Sequence, residues 1–155
     1  MTLRFNQYGN LEGGILTDVT LEDIKTTLVS NFPNSETRPE NYQLLIDFLS
    51  NLDKNIITRL WLDGSFCTKK ENPKDIDILL FFKHSLETRD YINQIIDEAN
   101  TKLDIYPIGD KDFIEKTRPI YTHMLHNEKY WMGQFGFDED GNHKAIIELR
   151  MENLK

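Results

Sequence analysis

A single cysteine, Cys67, stands in a chain of 155 residues. That excludes an internal disulfide, leaves a thiolate zinc site without partners and fits a reducing compartment. Apolar runs are short, far from the roughly 20 residues a membrane helix needs, and no opening stretch resembles a signal peptide. The expectation is a soluble, cytoplasmic protein without a membrane partner. Basic residues are also in the minority, 18 Lys and Arg against 26 Asp and Glu for a net charge of −8. This weighs against a protein that coats nucleic acid, since such binding rests on many cationic contacts to phosphate. Internal repeats, low-complexity tracts and linkers are missing, and the length suits one compact domain, 1–155, with its own core.

What is present is concentrated in Leu60 to Phe82, LWLDGSFCTKKENPKDIDILLFF. The apolar run Ile56 to Leu62 reads as a buried strand that stops at Gly64, a residue that allows a tight turn and close approach of a phosphate. Ser65 offers a hydroxyl at the start of a short helix or turn, where unpaired N–H groups favour an anion. Asp75 and Asp77 are two apart on the next strand, so both carboxylates leave one face about 7 Å apart. Magnesium prefers oxygen ligands and commonly combines one or two carboxylates with phosphate oxygens and water. Phosphate-binding turn and paired carboxylates together suit phosphoryl or nucleotidyl transfer. The following strand, Lys102 to Ile108, supplies Asp104 on the face opposite Leu103 and Ile105, the candidate for a further metal ligand or a general base.

Charge distribution agrees with a phosphate site. Residues 51–83 hold six Lys and Arg against five Asp and Glu, whereas the rest of the chain is strongly acidic. Lys69, Lys70 and Lys74 fall in the spacer where a triphosphate tail would lie, although each also suits a solvated loop beside Glu71. Asp63 reads as a helix N-cap rather than a ligand. Cys67 reads as a small apolar residue packing the turn. His123 and His126 share a helical face, but with no partner motif they read as ordinary imidazoles. Asp138 to Gly141 begins like a calcium loop, lacks the later acid, and reads better as a hairpin turn.

Periodicity supplies the frame. Thr20 with Asp23 opens a first helix bearing Ile24, Leu28 and Val29. Residues 39–53, opened by Pro39, form a second with Tyr42, Leu45, Ile46 and Leu49 on one face. Ser85 caps a third that carries Ile92, Ile95 and Ile96 and joins the Asp75 strand to the Asp104 strand. A helix is expected around Pro119 to His126. The chain is then expected to close in a hairpin, with aromatic Tyr130 to Phe137 on one arm, a turn at Asp140-Gly141, and Ala145, Ile147, Leu149 and Met151 on the other. Trp131, Phe135 and Phe137 can stack on a base or pack the hairpin core, and alternation favours packing.

Over about residues 56–108 the chain resembles the DNA polymerase β-like nucleotidyltransferase superfamily, most closely its small bacterial, minimal members. The residues that carry the resemblance are Gly64, Ser65, Asp75, Ile76, Asp77 and the later acid Asp104. Asp63 departs from the pattern, in which an apolar residue commonly precedes the glycine. The resemblance implies an α/β fold with a small mixed β-sheet and helices packed on one face, a core of about 40–108, and N-terminal helical and C-terminal hairpin additions. It implies Mg²⁺, or Mn²⁺, held by Asp75, Asp77 and Asp104, with Gly64, Ser65, Lys69 and Lys70 binding the nucleotide. The reaction implied is transfer of a nucleoside monophosphate from an NTP to a hydroxyl of a protein or RNA acceptor, within a toxin-antitoxin pair or with a partner protein or second copy. The alternative is a non-catalytic module of the same fold that acts through a protein partner.

Overall fold

The structure, a computed structural model, describes residues 3–154. Five strands, β1 (Ile15–Leu16), β2 (Ile57–Asp63), β3 (Ile76–Phe82), β4 (Leu103–Gly109) and β5 (Ile146–Arg150), form one sheet in the order β1-β5-β2-β3-β4. The pairs β2–β3 and β2–β5 are antiparallel, and β1–β5 and β3–β4 are parallel. Four helices accompany the sheet: α1 (Leu21–Lys25), α2 (Arg38–Ser50), α3 (Thr88–Glu98) and α4 (Pro119–Phe135). The fold is therefore mixed α/β, as the alternation of elements predicts. No helix among the described residues is long and apolar enough to cross a membrane.

Local signals explain the helix starts. Thr20 and Asp23 form a reciprocal capping box at α1, and α1 continues into a π-helical turn over Thr26–Ser30. Pro39 lies in the first turn of α2 and Pro119 opens α4, positions where a missing N–H costs nothing. The cap expected at Ser85 is displaced: the N-cap position of α3 is Glu87, without a side-chain cap, and Ser85, three residues before the helix, accepts the Thr88 N–H at 3.3 Å in a turn ahead of it.

The central strands are buried on both faces. Leu60, Leu62, Ile78, Leu80 and Leu149 point to a core shared with Leu28, Leu45, Leu49 and Ile92 of the first three helical segments. Trp61, Leu79, Phe81 and Ile146 point the other way and meet Phe135 and Trp131 of α4. The expected placement of all helices on one face thus holds for α1 to α3 only. The reason is visible in β2 and β3, whose alternate residues are apolar on both sides and require a second cover.

The closing hairpin is also corrected. Tyr130 to Phe135 belong to α4, and β5 inserts between β1 and β2 instead of pairing with an aromatic strand. Helix formers such as Met124, Leu125, Glu128, Lys129 and Met132 fill this segment, and Trp131 and Phe135 are four apart on one helical face. Only the turn survives: Phe137 bridges His143, and Asp138 accepts the N–H groups of Asp140 and Asn142. Arg59 fixes α4 to the sheet, meeting Glu128 at 2.8 Å, Glu148 at 2.7 Å and Asp110 at 3.3 Å. Burial opposes this guanidinium's charge, but the three carboxylates outweigh it and hold its pKa above the ordinary value.

Candidate functional site

Strand register assembles the site. Asp63 on β2 is opposite Asp77 on β3, and Asp77 is opposite Asp104 on β4, so three acids form one row across adjacent strands. Asp75, two residues before Asp77, leaves the chain on the same side. One oxygen from each of Asp75, Asp77 and Asp104 lies within 4.8 Å of the others, and all three residues are half-buried. The structure thus brings together the three acids named from sequence.

The turn between β2 and β3 is tightly specified. Gly64 has φ +87° and ψ −171°, a region essentially reserved for glycine, and a Cβ there would lie 3.0 Å from Asp77 Oδ2. Ser65 to Cys67 follow as one 3₁₀ turn with Phe66 and Cys67 buried. Arg38, fully buried at the start of α2, then organises the spacer. Its guanidinium donates to the carbonyls of Leu28 at 2.8 Å, Phe66 at 2.7 Å, Thr68 at 2.6 Å and Lys70 at 2.6 Å. Asn41, one turn later, donates to Pro73 O at 3.0 Å. These bonds satisfy carbonyls that a largely exposed loop turns inward, and they tie down the spacer that leads into β3.

Electrostatics follow from crowding the acids. Burial raises the Asp77 carboxyl to about 6, with Asp104 and Asp75 adding like-charge repulsion. Asp75 is raised for the same reasons, burial first and then Asp104. Asp63, 1% exposed, is pushed to about 7 by burial, against the opposing pull of Lys144. The Lys144 ammonium lies 3.1 Å from Asp63 Oδ1, an ion pair without the alignment of a hydrogen bond, and its charge also favours ionised Asp77. Asp63 is accordingly not the N-cap expected from sequence. It ends β2, and the 3₁₀ turn after Gly64 has no side-chain cap.

Of the other residues named from sequence, Ser65 is half-buried at the head of the turn. Lys70 and Lys74 act electrostatically on Asp75, whereas Lys69 Nζ lies over the Phe5 ring at 5.7 Å. Cys67 is fully buried, and burial pushes its thiol well above the ordinary value, so it packs the turn and does not open onto the site. Sequence reasoning missed Arg38, Lys144 and Tyr106. Tyr106 follows Asp104 by two on β4, is 38% exposed, and packs its ring 4.8 Å from that of Trp131. Burial and the three acids raise its hydroxyl pKa. Only the two-residue spacing from Asp104 could have signalled it.

The chain belongs to a family of unknown function, DUF6932, whose pattern matches residues 3–150. No curated protein and no solved structure matches it.

Three carboxylates forced together against their mutual repulsion fit a hard divalent cation, whose charge relieves the crowding. A pH dependence follows. Between the ordinary carboxylate value and the raised values of about 6 for Asp77 and about 7 for Asp63, the folded state holds more protons than the unfolded chain. Stability of the metal-free protein is therefore expected to fall as pH rises through that window. Mg²⁺ binds the ionised carboxylates, so its stabilisation should be larger at pH about 7.5 than at about 5. Calorimetric melts with Mg²⁺ and with EDTA test this, and an equal Mg²⁺ effect at both pH values would refute the metal assignment.

Proposed function

We propose that this chain is an Mg²⁺-dependent nucleotidyltransferase that moves a nucleoside monophosphate from an NTP to a hydroxyl of a protein or RNA acceptor. The observation that carries this reading is the convergence of Asp75, Asp77 and Asp104 from adjacent strands beside the Gly64 turn. Mg²⁺ held by these carboxylates would neutralise phosphate charge and polarise the α-phosphate.

The chain's own groups have distinct tasks. The N–H and hydroxyl of Ser65, at the half-buried head of the 3₁₀ turn, receive the terminal phosphates, while Phe66 and Cys67 behind it are buried and anchor the turn. Lys70 and Lys74 balance the triphosphate charge from the spacer. Asp104 accepts the proton of the attacking hydroxyl as its oxygen bonds to the α-phosphorus and the bond to the β-phosphate oxygen breaks, releasing pyrophosphate. Tyr106 and Trp131 offer an aromatic wall next to the acids for the nucleobase. The acidic surface favours a protein acceptor or a short RNA segment over an extended nucleic-acid track.

The test uses purified protein, Mg²⁺, a cell lysate, and NTPs labelled at the α- or γ-phosphate. Label from the α-position should mark the acceptor and label from the γ-position should not. Asp104→Asn should lower kcat by about 10²-fold or more while leaving NTP affinity within a few-fold, because its task is at the attacking hydroxyl. Transfer of γ-label, or an Asp104→Asn loss equal in binding and rate, would reject the mechanism. One observation favours a second reading, a non-catalytic binding module: Lys144 already supplies a cation beside Asp63 and Asp77. Failure of Mg²⁺ to bind, together with absence of any label transfer, would select it.

A further inference from the structure

At the end of β3 and β4 opposite the acids, a groove of about 750 Å³ runs between the starts of α3 and α4. Its floor is apolar, with Phe82, Ile92 and Ile108, and its rim carries Arg89, Arg118 and His84. No carboxylate lines it, in a chain with 26 acidic residues against 18 basic ones. Both arginines are exposed, and among the described residues neither guanidinium has an ion-pair or hydrogen-bond partner. Two exposed guanidinium groups that face one groove with no carboxylate in its lining leave an uncompensated positive field there.

Backbone electrostatics add to that field. Arg89 sits in the first turn of the 11-residue α3, and Arg118 immediately precedes Pro119 at the start of the 17-residue α4. The positive ends of two helix dipoles therefore meet the two guanidinium groups at one place. Guanidinium groups match phosphate oxygens with paired N–H donors, and an apolar floor of this size accommodates a ring attached to the phosphate.

We infer that this groove is a second ligand site, taking the terminal phosphate of a nucleotide, separate from the acid site. Phe82 is five residue steps along β3 from Asp77, about 17 Å, so one nucleotide with its α-phosphate at the acids does not reach the groove. The inference does not depend on the transferase reading. The same chemistry serves a free nucleotide or the phosphorylated end of an RNA strand.

The test is calorimetric titration of the full chain in EDTA with AMP, adenosine, and a short oligoribonucleotide with or without a 5′-phosphate. AMP should bind at least tenfold more tightly than adenosine, and Arg89→Gln/Arg118→Gln should weaken AMP by about 10²-fold, about one charge-assisted contact for each guanidinium. The double variant should melt like the parent, because neither side chain has a partner to lose. Asp77→Asn should bind AMP as the parent does, which separates this site from the acids. Tighter binding of the 5′-phosphorylated strand than of AMP assigns the phosphate to RNA, and the reverse assigns it to a free nucleotide; both support the site. Equal binding of AMP and adenosine, unchanged AMP affinity in the double variant, loss of AMP binding in Asp77→Asn, or no binding at about 1 mM AMP would each overturn it.

Discussion

Asp77→Asn should abolish nucleotidyl transfer, by about 10³-fold or more, while raising the stability of the metal-free protein at neutral pH. The two effects have one origin. Asp77 stands at the centre of the row, opposite Asp63 on one side and Asp104 on the other, with Asp75 two residues away. Burial, with Asp104 and Asp75 beside it, raises its carboxyl to about 6, so above that pH the ionised group costs folding free energy. Asparagine keeps the shape and removes the charge, which relieves the repulsion. The same charge is what a divalent cation binds, and an amide cannot replace it. A purely structural aspartate would show the opposite stability change, because removing a favourable carboxylate destabilises. The check is a pair of measurements on one sample, Tm in EDTA at pH about 7.5 and the rate of α-label transfer in Mg²⁺. A folded Asp77→Asn protein that still transfers label, or one that melts lower than the parent, would end the assignment.

Asp75, Asp77 and Asp104 could be picked out in sequence because their clues are local. A period of two places Asp75 and Asp77 on one face, and the helix bearing Ile92 and Ile96 points to Asp104 as the next strand's acid. The Asp77–Asp104 register was not legible, since it depends on how α3 returns the chain. Arg38, Asp63 and Lys144 were not legible for the same reason on a larger scale. Arg38 serves carbonyls up to 32 residues away, and Lys144 reaches Asp63 only because β5 inserts beside β2. Asp63 looked like a cap because aspartate before a glycine and a short helix commonly is one, and its burial depends on that distant lysine. The aromatic segment Tyr130 to Phe137 satisfied a strand pattern as well as a helical one. What decided it was the apolar second face of β2 and β3, a property of the assembled sheet.

Gly64→Ala should both destabilise the protein and uncouple it from metal and nucleotide, and a second glycine separates the causes. At φ +87° and ψ −171°, Gly64 occupies a region where any other residue is strained, at about 1–3 kcal/mol. The added Cβ would also lie 3.1 Å from Asp77 Cγ and 3.3 Å from the Asp77 backbone nitrogen. The carboxylate can turn away, but the backbone of β3 is held by β2 and β4 and cannot. Strain and crowding together are expected to lower Tm by roughly 5–15 °C, taking 2–4 °C per kcal/mol for a chain of this size. The carboxylate that turns away is Asp77, so the Mg²⁺-dependent rise in Tm should shrink or vanish. Gly141 is the control: its φ is +80°, but a Cβ there meets nothing within 4 Å. Gly141→Ala should therefore show the strain cost alone and keep the full response to Mg²⁺ and NTP. If Gly64→Ala instead keeps that response and merely melts lower, as Gly141→Ala should, the turn is a structural one and the phosphate role passes to another part of the spacer.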